Sequence, residues 1–199
     1  PGQQPAGVVI SEVDVSATNA IECANTSTNE WDLSGWYLTV RNETATLPST
    51  VRVTIPPGSR LAPGQVFTVR STEVSSVWPH LRLPSKLWSN AFPAPSVVLY
   101  NSQGLVVDCF FALTVSHPPA VWALGRGSTG LADWLGAPFP VATNTAQTYQ
   151  RQGNSDRNTA EDWMLGPPSI DALNPGMELP FAPGFGLISA VSATASTFD

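Results

Sequence analysis

Three short stretches of this 199-residue chain hold residue types that could do chemistry. Gly125-Arg126-Gly127-Ser128-Thr129-Gly130 has the glycine spacing of a dinucleotide-binding turn. That turn lays a pyrophosphate on the N-terminus of a following helix, behind a strand and ahead of an acidic residue. Here Leu131-Ala132-Asp133-Trp134-Leu135 meets Gly136 and Pro138 before a useful helix can form. The stretch is read as a turn, and no cofactor is assigned. Asn154, Asp156 and Asn158 alternate like the opening of a calcium loop, with Glu161 and Asp162 close behind. A full loop of that kind needs a glycine at its sixth position and a bidentate glutamate at its twelfth, and both are missing. These three residues stand as a weak calcium candidate, against a polar turn whose side chains cap backbone; no other metal site is assigned.

Nucleophilic chemistry has less support. His80 follows Pro79 and His117 precedes Pro118, and the two histidines and two cysteines are scattered singly, without zinc spacing. Ser116-His117 are neighbours in sequence, which does not make a nucleophile and its base, and Ser128 lacks the Gly-x-Ser-x-Gly frame. The chain is read as non-enzymatic, with no catalytic residue. Asn25-Thr26-Ser27 and Asn42-Glu43-Thr44 are glycosylation sequons. Cys23 and Cys109 lie in strand-like runs and permit one pairing. A bridge would close a loop of about 86 residues, worth at most about 5 kcal/mol in the chain-entropy account. The alternative is two separate buried thiols acting as small hydrophobes. Trp78, Trp88, Trp122 and Trp134 fall in irregular Pro-rich stretches, as anchors of those loops or as aromatic faces for a sugar or protein.

The elements that must position these residues are strands. Val8-Val9-Ile10 leads into the alternation Glu12, Val13, Asp14, Val15, and Ala20 to Ala24 follows. Asn25-Thr26-Ser27-Thr28-Asn29 is turn chemistry. Tyr37-Leu38-Thr39-Val40, Val51 to Ile55 and Val66-Phe67-Thr68-Val69 are further strands bounded by Pro and Gly. Val97 to Tyr100 and Leu105 to Phe111 flank Asn101-Ser102-Gln103-Gly104 as a hairpin, and Thr148 to Arg151 and Asp162 to Leu165 form a late pair. Seven or so short strands at this spacing predict a two-sheet sandwich.

Composition agrees and excludes several classes. With 15 Gly and 19 Pro, helix is disfavoured throughout. Charged residues make up 12%, about half the usual share, and the net charge is −6 with one lysine, Lys86. That balance argues against a nucleic-acid surface. No apolar run approaches a membrane span. The low-charge, Ser/Thr-rich composition points to an extracellular or cell-surface setting.

Several of these segments, taken in order, resemble the lamin tail domain, an immunoglobulin-like sandwich also found in bacterial secreted and surface proteins. The matching pieces are Val9-Ile10-Ser11-Glu12-Val13, Ile21-Glu22-Cys23-Ala24-Asn25 and Asp32-Leu33-Ser34-Gly35-Trp36-Tyr37-Leu38. They continue through Ile55-Pro56-Pro57-Gly58, Leu61-Ala62-Pro63-Gly64 and Gly104-Leu105-Val106-Val107-Asp108 to Tyr149-Gln150-Arg151, Asp162-Trp163 and Asn174-Pro175-Gly176. The resemblance implies an all-β, immunoglobulin-like sandwich serving as a binding or scaffolding module, with no catalytic residues to carry over. Lamins use the domain for protein and chromatin contacts; the acidic charge here speaks against the chromatin version. Two departures are a thiol at Cys23, where an aliphatic residue is usual, and residues 112–147, which read as a loop insertion.

The expected organisation is an extended segment over 1–7, the sandwich over 8–177 and an extended tail over 178–199. Phe185 to Phe198 holds neither Pro nor charge, and as a strand it would reach roughly 45 Å. Leu187, Ile188, Val191 and Phe198 are its candidate assembly residues, offered to the open sheet edge of another subunit. The functional expectation is a structural or adhesive module, plausibly a filament or surface-layer subunit, whose partner is a second copy or another protein. The alternative is a carbohydrate- or protein-binding accessory domain of a secreted enzyme, with a polysaccharide as partner.

Overall fold

Alternating burial identifies the first strand that matters: in Tyr37–Asn42, Leu38, Val40 and Asn42 are buried while Tyr37, Thr39 and Arg41 are half-buried. In this computed structural model the described residues are 7–16, 18–42, 50–71, 76–83, 86, 88, 94–112, 134, 136–144 and 146–181. They hold twelve strands: β1 Val8–Asp14, β2 Ala20–Asn25, β3 Trp31–Asp32, β4 Tyr37–Asn42, β5 Val51–Thr54, β6 Arg60–Leu61, β7 Val66–Arg70, β8 His80–Arg82, β9 Pro95–Tyr100, β10 Val106–Phe111, β11 Thr148–Arg151 and β12 Trp163–Gly166. A single 3₁₀ turn, Ala160–Asp162, precedes β12. The six-stranded sheet runs β12-β11-β1-β2-β7-β8, the four-stranded sheet β10-β9-β4-β5, and β3 with β6 makes a small third sheet. All pairs are antiparallel except β7 with β8.

The inner faces close on one core. Ile10, Val13, Ile21, Phe67 and Tyr149 come from the larger sheet, Leu38, Val40, Val97, Leu99 and Phe110 from the smaller. Each such aliphatic side chain removed from water contributes about 1.5–3 kcal/mol. The expected hairpin is present as β9 and β10, with Asn101 Oδ1 accepting from the Gln103 and Leu105 amides. The segment Asp32-Leu33-Ser34-Gly35-Trp36 is a turn that delivers Leu33 and Trp36 to that core. Asp32 Oδ1 accepts from both the Ser34 amide and hydroxyl. Gly35 takes φ +75°, which a side chain would strain.

Three features differ from the sequence expectation. Every residue of β1 and β2 is buried, polar ones included. Residues 167–181 lie across the outer face of β1 and β2 as a strap, so the Glu12, Val13, Asp14, Val15 alternation has no solvent-facing side. The packed chain also continues past 177. Phe181 is buried with Val9, Ala24 and Met177, and its amide donates to the Thr26 carbonyl at 2.8 Å. Finally, the described end of the 112–147 stretch packs on the smaller sheet. Trp134 stands edge-on to Phe110 and Phe111, and the Phe139 amide donates to the Phe111 carbonyl. β3, β6 and β8 are two or three residues long, too short for periodicity to reveal.

Candidate functional site

The chemistry-bearing residues gather at three places, one between the sheets, one under the strap and one where β7 and β8 meet the strap. Between the sheets sits Arg151 of β11, wholly buried. Its Nη2 donates to Asp108 Oδ2 of β10 at 2.7 Å, linking the two sheets through the core. Its Nε donates to the Ile10 carbonyl at 2.9 Å and its Nη1 to Asp156 Oδ1 at 3.1 Å. The guanidinium also lies over the Trp163 ring, 4.8 Å from its centroid.

A β-bulge creates the opening for this contact. The β1–β2 register shifts between Ile10 and Glu12, and the Ile10 amide donates to Asp108 Oδ2 at 2.6 Å across the sandwich. Burial pushes the Asp108 carboxyl up to about 7, against the pull of Arg151 and of the Ile10 and Cys109 amides. For Arg151, burial opposes the charge, but Asp108, Asp156 and Asp162 outweigh it and hold the guanidinium protonated. Asp162 Oδ2 in turn accepts from the Arg157 and Thr159 amides, closing the turn before β12.

The same bulge puts Ser11 and Glu12 together on the outer face. Glu12 accepts from the Thr148 hydroxyl at 2.6 Å and from the Ser169 amide and hydroxyl. Its cross-strand neighbour Glu22 accepts from the Ser11 hydroxyl and the Asp171 amide, each at 2.7 Å. Asn174 pins the strap from above, its amide donating to the Ser11 and Arg151 carbonyls at 2.7 and 2.9 Å. Burial raises Glu22 to about 8; its two hydrogen bonds pull the other way, and Glu12 and Asp171 add to the rise.

A third cluster had no sequence signal, because Thr68 and His80 are 12 residues apart and Thr68 and Asp171 are 103 apart. Thr68 Oγ1 lies 2.9 Å from His80 Nδ1, Asp171 Oδ1 lies 3.6 Å from the same nitrogen, and Arg70 pairs with Asp171. A hydroxyl, an imidazole and a carboxylate thus meet, but hydroxyl and carboxylate share one ring nitrogen. A proton relay needs them on opposite nitrogens, so this is not a triad.

The sequence candidates separate accordingly. Asp156 is turned inward to Arg151 and accepts from the Asn158 amide at 3.3 Å. Asn158 is buried at φ +55°, and Asn154 lines an open depression of about 430 Å³ with Gln152, Arg157, Glu161 and Met164. The three calcium candidates therefore do not converge on a point. Among the described residues no group of three or more His, Cys, Asp or Glu could hold a metal ion. Cys23 and Cys109 are both buried and are not joined in a disulfide. Cys23 belongs to the inter-sheet core and Cys109 to a cluster with Val98 and Phe111 on the other face of its sheet, so of the two alternatives the structure carries separate thiols. Both sequon asparagines are buried. Asn25 donates to the Asn29 and Leu61 carbonyls, and Asn42 accepts from the Ala94 amide. Trp78, Trp88 and Trp134 direct their indole N–H groups to the backbone carbonyls of Arg60, Arg41 and Ala137, as loop anchors do. Gly125 to Gly130, Ser116, His117, Ser128, Trp122, Leu187, Ile188, Val191 and Phe198 lie outside the described residues.

Two antiparallel-dominated sheets closed on one core, with buried polar ties in place of an open catalytic cleft at either cluster, define an immunoglobulin-like β-sandwich. The chain matches the family model of the lamin tail domain over residues 1–112, more than half its length, and so belongs to the lamin tail domain family. No curated protein matches it. Members of this family are in general non-enzymatic protein-interaction modules. Among the described residues no helix is long and apolar enough to cross a membrane. The family match ends at residue 112, yet Arg151, Asp162 and Asn174 beyond it complete both polar clusters begun by Ser11, Glu12, Glu22 and Asp108.

Proposed function

We propose that the domain is a structural or adhesive module of an extracellular or cell-surface protein, and that it self-assembles through its C-terminal tail. The observation that carries this reading is where the strap ends. Phe181 is buried on the outer face of the larger sheet, and residues 182–199, which include Leu187, Ile188, Val191 and Phe198, follow it in sequence. Strand addition needs an open sheet edge, and β5, β8, β10 and β12 are the outermost strands of the two main sheets. A donated strand on such an edge is a head-to-tail contact, which propagates into a filament when the rotation does not close.

The test compares the full chain with a chain ending at Phe181, by light scattering and negative-stain microscopy. Oligomers or fibres from the full chain and monomers from the truncated one are expected. Monomers from both would remove self-assembly and leave a passive binding module.

The second reading, a carbohydrate-binding accessory domain, has one observation in its favour. Tyr37 and Tyr100 stack at 4.7 Å on the outer face of the smaller sheet, with Arg52 3.6 Å over Tyr37. Half-buried aromatic rings beside a guanidinium suit a polar, ring-shaped ligand. Fluorescence quenching by soluble polysaccharides that Tyr100→Ala abolishes would support it; no response in the intact domain would remove it.

A further inference from the structure

Glu12 and Glu22 are opposite each other on neighbouring strands, both wholly buried under residues 167–181. Among the described residues no cation lies within ion-pairing reach of either. Glu12 accepts hydrogen bonds from the Thr148 hydroxyl and from both donors of Ser169. Glu22 has only two donors, the Ser11 hydroxyl and the Asp171 amide, and the second belongs to the strap. Among the described residues, the charged groups acting on Glu22 are Glu12 from β1 and Asp171 from the strap; Asp14 of β1, Arg70 of β7, and His80 and Arg82 of β8 share its face of the sheet by register. Arg70 and His80 are both engaged with Asp171. A charge at Glu22 would therefore sit in a desolvated site opposite another carboxyl and without a cation, a combination that disfavours ionisation.

We infer that residues 167–181 form a pH-responsive cover of the larger sheet, seated while Glu22 carries a proton and loosened as Glu22 gives it up. Glu22 ionises without penalty only once the strap has lifted off it, so proton loss and lifting are coupled. What lifting uncovers is the outer face of β1, β2 and β7, including the apolar Val9, Ala24 and Val66 on which Met177 and Phe181 rest. The burial-driven rise of Glu22 to about 8 sets the range. Because the seated value is the raised one, the cover is firmest at or below the ordinary carboxylate range. It loosens as pH climbs from there toward 8, and it changes no further above that.

The test is amide hydrogen exchange on the full chain across this range, each rate divided by the intrinsic rate of the same residue at that pH. Protection of the Asp171 and Phe181 amides should fall by up to about tenfold per pH unit, as release of one proton requires, and then level off. The Leu38 and Val40 amides in the smaller sheet should hold. Glu22→Gln, neutral at every pH, should flatten the strap profile. A flat profile in the unaltered protein, or the same fall in Glu22→Gln, overturns the inference. Should Glu22→Gln fail to fold, the carbon-13 shift of the Glu22 carboxyl in the unaltered protein decides. A midpoint well above the ordinary carboxylate range supports the cover, and one within that range overturns it.

Discussion

Arg151 shows how a single residue can be both costly and indispensable. Burying a guanidinium is unfavourable until acceptors replace its water, and Asp108, Asp156 and the Ile10 carbonyl do so. The arrangement is an inter-sheet tie, and its worth lies in what its loss leaves behind. Asp108→Ala should destabilise the domain by about 3–5 kcal/mol, because a buried cation loses its nearest counter-charge and the Ile10 amide its acceptor. Chemical denaturation of the two proteins measures this, and a loss below about 1 kcal/mol would mean that water or Asp156 takes over. The residue types at this tie were visible beforehand, since Asp108, Arg151 and Asp162 all fall in segments that resemble the family pattern. Their convergence was not, because a lone Asp in Val106-Val107-Asp108-Cys109 carries no mark of the partner 43 residues on.

Among the elements, the strap does the most to separate this domain from a bare sandwich. It covers a sheet face whose polar residues would otherwise be solvated, which is why β1 and β2 are buried on both sides. Asn174 holds it with two donated bonds to carbonyls of different strands. Asn174→Ala should cost about 2 kcal/mol by leaving those carbonyls short of a partner. The loss should appear as faster proteolysis within 167–181 before any change in the melting of the β4–β9 pair. A chain ending at Gly166 should lose far more than one ending at Phe181, since only the former exposes Val9, Ala24 and the two glutamates; thermal unfolding of both distinguishes the cases. Local pattern reading places β4, β5, β7 and the β9–β10 hairpin well, because each has one wet face or a tight turn. It fails for the strap, whose Pro167-Pro168-Ser169 start and Asn174-Pro175-Gly176 bend read as loop however they pack.

For the molecule as a whole, the face of the smaller sheet presents Tyr37, Tyr100 and Arg52, while the opposite side is closed by the strap with Asp171 and Glu178 exposed upon it. Self-assembly and the pH response of the cover involve different segments, so either can be absent without the other. Assembly is read from oligomeric state with and without residues 182–199, and the cover from exchange at Asp171 and Phe181 in the intact chain. The all-β class, most strands, the turn at Gly35 and the family are legible in the residues alone, because alternation and turn chemistry act over a few residues. It took the tertiary fold to bury Glu12 and Glu22 together, to turn Asp156 toward Arg151, and to place Cys23 in the inter-sheet core and Cys109 on the outer face of the other sheet. Those outcomes depend on contacts such as Glu12 with Ser169, 157 positions apart. An acidic residue in a strand has the same local signature whether water or a strap lies above it.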